Sequence, residues 1–210
     1  MKLKNKIAFV SAAGRGIGKA IVKGLAAEGA TVVVNSYSEE TASSTADDIK
    51  KNGGKAVSMP GDATDPETIL ALVDRTIDKF GRIDVLVNNV GAAPKEAPEI
   101  PNNALGKTEG LWNAMYRQNL LPTVLMTEAV SKEMKRQREG KIVNISSIAG
   151  INSFSPKTLT NLVHPSYGAM KAALLSYTKN CAELYGPYNI NVNAVCPGIV
   201  YTDAWKKNAV

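Results

Sequence analysis

Side chains that bind metals or form disulfides are scarce in this sequence. Its 210 residues include two cysteines and one histidine. Cys181 and Cys196 lie far from any metal-ligand spacing, so we expect two buried thiols in a reducing compartment. No metal site and no disulfide framework are therefore predicted.

Long apolar runs are also absent, and no stretch is long enough to span a membrane. The N-terminal residues MKLKNKIAFVSAAG place lysines before an apolar patch, as a signal peptide does. The patch is too short, however, and it leads directly into the charged GRGIGKA. We therefore expect a cytoplasmic protein with no targeting segment and no membrane partner.

The net charge of +6 is compatible with a nucleic-acid-binding protein. However, the one dense basic cluster, KEMKRQREGK at residues 132–141, ends a long helical pattern and includes Gly140. Lysine and arginine favour helix C-termini, and glycine ends helices, so we interpret the cluster as a solvated helix end. No nucleic-acid partner is predicted.

Short β-rich runs alternate with helical patterns along nearly the whole chain. The candidate strands are KIAFVS, TVVVN, AVSMPGD, IDVLVNN, KIVNISS and INVNAVCPG, and the helical patterns cover 16–28, 39–52, 66–80, 111–138 and 166–185. Apolar strands separated by helices predict a parallel sheet that is covered on both faces. Right-handed crossovers then give a doubly wound α/β fold of the Rossmann type, with three αβα layers in a single domain over residues 1–210.

Ligands of such a sheet bind beyond the carboxyl ends of its strands. The first strand ends in FVSAAGRGIGKA, where Gly14, Gly16 and Gly18 precede a helical pattern. Glycines at this place let backbone N–H groups approach a pyrophosphate, and the helix dipole favours the anion. Glycines at a strand–helix turn also permit close packing, so the loop by itself leaves both interpretations open.

Five further motifs follow in order: NNVG at 88–91, Asn119 in RQNL, NISS at 144–147, YGAMK at 167–171 and CPG at 196–198. Together with the loop, this set resembles the short-chain dehydrogenase/reductase family, including its 3-oxoacyl-ACP reductases. The family's T-G-x-x-x-G-x-G loop begins here with Ser11 and Ala12. If this position needs a positive φ, Ala12 costs stability or shifts the bound phosphate.

The resemblance implies a nicotinamide cofactor. NAD enzymes usually have Asp or Glu at the end of the second strand, where this chain has Asn35 and then Ser36. Arg15 suits a 2′-phosphate by charge and fork geometry, although an exposed turn arginine is the alternative. We therefore predict NADP(H) in preference to NAD(H).

The resemblance also implies which residues contact the cofactor. Asp62 matches an adenine-binding position, and its alternative role is that of a helix N-cap or turn residue. The implied cofactor-binding set is Ala12, Gly14, Arg15, Gly16, Ile17, Gly18, Asn35, Ser36, Asp62, Ala63, Asn89, Val90, Gly91, Tyr167, Lys171, Pro197, Gly198, Val200 and Thr202.

Tyr167 and Lys171 share one face of a predicted helix. Lowering a phenol pKa from about 10 to about 7 needs about 4 kcal/mol. An ammonium about 4 Å away supplies energy of that order. By resemblance, Ser147 donates to the substrate oxygen, and Asn119 holds a water that links Lys171 to solvent. Alternation along the strand should point Ser146 away from Ser147.

These residues predict an NADP(H)-dependent oxidoreductase that interconverts a ketone or aldehyde and an alcohol, acting on CH–OH groups by hydride transfer with Tyr–Lys acid–base catalysis. The alternative is a cofactor-binding but inactive subunit or scaffold, which Ala12 favours. The expected partner is a small carbonyl or alcohol substrate. His164 lies close to Tyr167, but a loop role without catalysis is the preferred interpretation.

The sequence departs from the family in three segments. Residues 91–112 and 150–166, which include Trp112 and Phe154, are longer than usual and argue against assuming a 3-oxoacyl thioester substrate. The family's substrate-covering region and last strand are expected to be missing after residue 210, which leaves INVNAVCPG at a sheet edge. By resemblance, helices 111–138 and 166–185 form a dimer or tetramer interface.

Overall fold

The computed structural model describes residues 1–91, 105–155 and 164–202. Its sheet has six parallel strands in the order β3-β2-β1-β4-β5-β6. These are β1 (Ile7–Val10), β2 (Thr31–Ser36), β3 (Lys55–Pro60), β4 (Val85–Asn88), β5 (Gly140–Ile145) and β6 (Ile190–Val195). The predicted doubly wound parallel sheet is confirmed, and INVNAV lies at one edge of it.

Helices connect the strands and cover both faces of the sheet. They are α1 (Gly16–Ala27), α2 (Glu39–Lys51), α3 (Pro66–Phe80), α4 (Leu105–Asn119), α5 (Leu121–Gln137) and α6 (Pro165–Tyr185). The α3 helix shows how local sequence sets the ends. The Asp65 carboxylate accepts from the Thr68 N–H at its start, Pro66 occupies its first turn, and Gly81 ends it with a φ of 71°.

The prediction of one long helix over 111–138 is wrong, because the chain breaks between α4 and α5. Leu120 has non-helical angles, with a φ of −121°, and Pro122 follows in the first turn of α5. Proline has no N–H to donate to the preceding turn, and its ring clashes with the carbonyl four residues back. The break makes Asn119 the last residue of α4 rather than a mid-helix residue.

Alternate strand residues face opposite layers of helices. Phe9, Leu86 and Ile142 pack into the core cluster shared with α3, α5 and α6. Val10 and Val34 pack into a second cluster shared with α1 and α2. Burying each large apolar side chain contributes about 1.5–3 kcal/mol, and burial on both faces requires the nearly continuous apolar strands.

Polar groups near the two ends of β4 differ in character. Just before its amino end, Asp84 is 3% exposed and accepts from Ile7 N–H, Lys6 and Arg82. Burial alone would raise the pKa of Asp84, but these hydrogen bonds together lower it. This cluster is structural. The functional candidates lie at the opposite ends of the strands. This side of the sheet, where the carboxyl ends of the strands meet, is called the carboxyl edge below, and the strand order reverses there between β1 and β4.

No helix in the described part of the chain is both long and apolar enough to cross a bilayer.

Candidate active site

The glycine loop joins β1 to α1 at the carboxyl edge of the sheet. Arg15 precedes the first turn of α1 in an extended conformation, and its side chain is exposed. Gly16 follows with a φ of 54°, a value that favours glycine. The N–H groups of the first turn of α1, which have no partner within the helix, therefore lie at this edge next to the exposed Arg15.

Two glycines of the loop leave no room for a side chain. A Cβ on Gly18 would lie 2.4 Å from the Ala12 carbonyl oxygen, and a Cβ on Gly14 would lie 2.5 Å from Ser36 Oγ. Both distances are shorter than real contacts allow. Gly18 thus permits close packing of α1 on the strand end, and Gly14 lets the loop approach the end of β2.

Ala12 has a φ of 51°, so this position does require the left-handed conformation. That conformation costs a non-glycine residue about 1–2 kcal/mol. The surrounding side chains hold it in place: the Asn89 amide donates to the Ala12 carbonyl at 3.1 Å, and Asn35 Oδ1 accepts from the Ala12 N–H at 3.4 Å. The loop therefore has the shape expected of a phosphate-binding loop, although alanine replaces its first glycine.

Asn35 does not point toward the mouth of the site. Its side chain is 1% exposed, and its amide donates to the carbonyls of Met59 and Gly61, both at 3.1 Å. Ser36 is the first partly exposed residue beyond it, and Tyr37 is exposed. The end of β2 thus presents Ser36 and Tyr37 at its surface, while Asn35 joins the loop to β3.

The segment after β3 forms a turn. Asp62 Oδ1 accepts from the N–H and the hydroxyl of Thr64, at 2.9 and 2.7 Å, and Ala63 is buried. These contacts correspond to the alternative role that the sequence left open for Asp62, namely a turn residue. The half-buried carboxylate still has a second oxygen for a ligand.

The NNVG motif places its residues between the loop and the helices. The Asn89 N–H donates to Ser11 Oγ at 2.9 Å, and Val90 is buried. Gly91 lies against α4 and α6, where a Cβ would come within 2.6 Å of Lys171 Nζ and 3.2 Å of Asn119 Oδ1. A side chain at position 91 would therefore require the Lys171 ammonium to move from its place.

The two serines after β5 diverge as alternation predicts. Ser146 is buried, and its hydroxyl donates to the Lys171 carbonyl at 2.9 Å, which fastens α6 to the sheet. Ser147 turns to the other side and lies within hydrogen-bonding reach of the Tyr167 phenol. Because Ser147 Oγ accepts from the Ala149 N–H at 3.1 Å, its own hydrogen is available to an oxygen in the site.

Lys171 lies beneath Tyr167 on α6. It is 3% exposed, and its Nζ donates to the Ile145 carbonyl at 3.0 Å and lies 5.7 Å from the centroid of the Tyr167 ring. Burial lowers the pKa of Lys171 to about 8. At neutral pH this lysine therefore carries its charge inside the protein.

The phenol of Tyr167 behaves differently from the sequence-based expectation. Burial raises the pKa of Tyr167, and the hydrogen bond with Ser147 lowers it by less. The expected depression by Lys171 is therefore wrong for the chain without cofactor, because desolvation dominates. Tyr167 holds its proton at neutral pH, which suits a proton donor.

The CPG motif at 196–198 and the residues after it follow β6 and contact both the Ser147 turn and the glycine loop. The Pro197 carbonyl accepts from the Ile148 N–H at 3.0 Å, and Thr202 lies beside Gly16, where a Cβ on that glycine would be 3.6 Å away. Gly198 and Val200 between them are exposed. The segment thus passes from the Ser147 turn back to the glycine loop.

Comparison with known proteins agrees with this arrangement. Residues 6–209 match the family model described as short chain dehydrogenase. The chain belongs to the short-chain dehydrogenase family. Members of this family are NAD(P)-dependent oxidoreductases that act on CH–OH and carbonyl groups, and this chain is one of them.

Similar members of the short-chain dehydrogenase family include two named enzymes. The chain is 38% identical to a 3-oxoacyl-[acyl-carrier-protein] reductase of Synechocystis, covering 96% of this chain and 76% of the relative. It is 34% identical to the enzyme of the same name from Vibrio cholerae, covering 98% and 78%. This places the chain among relatives of the 3-oxoacyl-ACP reductases.

A solved structure of the family shares the fold. A 7α-hydroxysteroid dehydrogenase complexed with NADH and 7-oxo glycochenodeoxycholic acid has a TM-score of 0.85 and 32% identity. The match covers 98% of this chain and 75% of that one.

His164 has a structural role that was not predicted from the sequence. It is the N-cap of α6, where its Nδ1 accepts from the Ser166 N–H at 3.2 Å. His164 therefore sets the start of the helix that carries Tyr167 and Lys171. The signal in the sequence was its place directly before Pro165, a residue that favours the first helical position.

Several other residues singled out in the sequence are not part of the group formed by Ser147, Tyr167 and Lys171. Cys181 is buried as expected, but the expectation of burial is wrong for Cys196, which is partly exposed because it follows the edge strand β6. Phe154 and His164 help to line a cavity of about 360 Å³ beside α6, to which Ser147, Tyr167 and Lys171 do not contribute. Trp112 is exposed on α4, and residues 92–104 and 156–163 lie outside the described residues.

Proposed function

We propose that the chain is an NADP(H)-dependent carbonyl reductase, and an alcohol dehydrogenase in the reverse direction. One observation carries this proposal: Ser147, Tyr167 and Lys171 meet at the carboxyl edge of the sheet, beside the glycine loop. The same edge contains Gly91, which lies beside both the Lys171 ammonium and the Asn119 amide oxygen. Cofactor loop and proton-transfer groups are therefore neighbours.

The residues fit a dinucleotide. Gly14 and Gly18 let the loop pack against Ser36 and Asn89 more closely than a Cβ would allow, and Gly16 and Ala12, both with positive φ, turn the loop so that α1 begins toward the edge. Gly14 to Gly18, Ser36, Asn89 and Thr202 would hold the cofactor. When bound, the reduced nicotinamide supplies a hydride to the carbonyl carbon.

Tyr167 and Ser147 would act on the substrate oxygen. The neutral Tyr167 phenol donates its proton to the oxygen as negative charge develops there. Ser147, which keeps a hydrogen to donate, stabilises the same charge and orients the oxygen. The Lys171 ammonium stabilises the phenolate that remains, and it does so effectively because the site is buried.

NADP(H) is preferred in this proposal because of Arg15 and the end of β2. The Arg15 guanidinium is exposed at the start of α1, free to pair with a 2′-phosphate. Neither Asn35, Ser36 nor Tyr37 is acidic, and the first acids, Glu39 and Glu40, lie within α2. The hydroxysteroid dehydrogenase contains NADH, so the preference rests on this chain's own residues.

Fluorescence titration with NADPH and, separately, NADH tests the cofactor preference. We expect the wild type to bind NADPH at least about tenfold more tightly, and Arg15→Ala to remove most of that difference while changing NADH binding by less than about threefold. Lys23→Ala, which removes the same charge from the exposed side of α1, should leave both affinities unchanged. A wild type that prefers NADH, or an Arg15→Ala protein that keeps the wild-type preference for NADPH, would contradict the assignment.

We further propose a cytoplasmic homo-oligomer, a dimer or tetramer, that acts on a small carbonyl or alcohol substrate. Trp112 and Tyr116 lie one turn apart on α4 and expose 36% and 41% of their surface. An exposed aromatic pair on a helix that packs against α6 suits a protein interface. A light-scattering mass of one chain at micromolar concentration would contradict the oligomer.

A further inference from the structure

The left-handed conformation of Ala12 is held from both ends of the residue. Asn35 Oδ1 accepts from its N–H at 3.4 Å, and Asn89 Nδ2 donates to its carbonyl at 3.1 Å. The next amide, of Ala13, donates to the main-chain carbonyl of Asn35 at 2.6 Å. Asn35 therefore holds two consecutive N–H groups at the start of the glycine loop.

Asn35 is itself fixed by β3. Both carbonyls that receive its amide hydrogens, those of Met59 and Gly61, lie at 3.1 Å, and its side chain is buried. One acceptor facing an N–H and two donors facing carbonyls match a neutral amide of this length. A carboxylate at this position would face two carbonyl oxygens, so an acid could not take its place without disrupting the loop.

We propose that Asn35 is a positioning residue that keeps Ala12 in the left-handed conformation and so sets the glycine loop for the cofactor. Asn35 acts from beneath the loop and does not touch the cofactor. The step to cofactor affinity rests on the function proposed above, whereas the effect on loop conformation does not. Ser36 and Arg15 remain the residues at this end that can contact a ribose or its phosphate.

The test compares Asn35→Leu in two backgrounds, the wild type and Ala12→Gly. Glycine adopts a positive φ without a side-chain penalty, so it should need the Asn35 amide less than alanine does. We expect Asn35→Leu to raise the NADPH Kd at least about tenfold in the wild-type background. In the Ala12→Gly background, the factor by which Asn35→Leu raises the Kd should be about fivefold smaller. If Asn35→Leu acted only by destabilising the fold in general, it would raise the Kd by the same factor in both backgrounds. That result would overturn the proposal.

Amide hydrogen exchange in the cofactor-free protein gives a second reading of the same comparison. Exchange of the Ala13 and Gly14 amides should become about tenfold faster in Asn35→Leu, and Ala12→Gly should recover most of that change. If these two amides exchanged at the same rate in Asn35→Leu and in the double variant with Ala12→Gly, the proposal would be overturned even if no cofactor bound. If the wild type bound neither NADPH nor NADH, that result would count against the proposed function and not against the role of Asn35 in loop conformation.

A buried hydroxyl elsewhere provides the matched control. Ser131 on α5 is buried and donates to the Glu128 carbonyl at 3.0 Å, on the opposite face of the sheet from α1. Ser131→Ala should lower the thermal stability without changing loop exchange or the NADPH Kd. If Ser131→Ala changed loop exchange as much as Asn35→Leu does, the effect would be general destabilisation and the positioning role would be wrong.

Discussion

Tyr167→Phe is expected to lower kcat for carbonyl reduction by about 10³-fold while raising the NADPH Kd by less than about threefold. The substitution removes only the hydroxyl that supplies the proton and keeps the ring in its place on α6. The measurement is NADPH oxidation with a panel of ketones, aldehydes and 3-oxoacyl thioesters, together with a binding titration.

Tyr177→Phe is the matched control for this result. Tyr177 lies on the same helix, is partly buried, and donates to the Val124 carbonyl at 3.5 Å, away from Ser147. Its loss should leave kcat within about twofold of the wild-type value. Full activity in Tyr167→Phe would exclude the phenol as the proton donor and favour a different mechanism at the same site.

Lys171→Met is expected to abolish reduction and, at the same time, to stabilise the cofactor-free fold by about 2 kcal/mol at pH 7. Burial lowers the pKa of Lys171 from 10.5 to about 8, a difference that corresponds to about 3 kcal/mol of unfavourable burial of the charge. Loss of the Nζ hydrogen bond to the Ile145 carbonyl offsets about 1 kcal/mol of the gain.

The pH dependence of this effect has a definite sign. Between about pH 8 and pH 10.5 the folded wild type has lost the Lys171 proton while the unfolded chain still binds it, so wild-type stability rises with pH. The advantage of Lys171→Met should therefore be full below pH 8 and should shrink toward pH 10. Urea unfolding at pH 7 and pH 10 measures both values.

Lys179→Met controls for the loss of a charge from α6. Lys179 is exposed on the same helix, so its replacement should change the unfolding free energy by less than about 0.5 kcal/mol at either pH. A Lys171→Met protein less stable than the wild type at pH 7 would show that the lysine stabilises the fold. The burial argument would then be wrong.

A charged lysine held inside the site illustrates how function costs stability in this protein. Lys171 is surrounded by Gly91, the Ile145 carbonyl and the Tyr167 ring, which leave it little contact with water. The same burial that penalises the ammonium strengthens its effect on a neighbouring phenolate. Enzymes commonly accept such a cost where the charge serves the reaction.

The fold was predictable because its local signals agree with one another. Apolar strands such as TVVVN indicate burial on both faces, and Asp65, Pro66 and Gly81 mark the ends of α3. The break at Leu120 was missed because the apolar spacing continues through it. In that case a single missing N–H, at Pro122, outweighs a periodic pattern.

The site was predictable in its membership more than in its physics. The motifs brought Ser147, Tyr167 and Lys171 together, but a strand end does not reveal that Asn35 turns inward to Met59 and Gly61. Side-chain direction at the last residues of a strand depends on the neighbouring loops. The pKa of Tyr167 was likewise misjudged, because desolvation depends on burial, which the sequence does not provide.

Deuterium transfer tests the central claim most directly. The wild-type chain is incubated with each carbonyl of the panel and NADPH deuterated at nicotinamide C4, with the label on one face and then on the other. We predict an alcohol product that carries one deuterium at the carbinol carbon for one labelled face, and none for the other. Alcohol formed without deuterium from either face, or no alcohol from any carbonyl despite tight NADPH binding, would contradict the assignment as a hydride-transferring reductase.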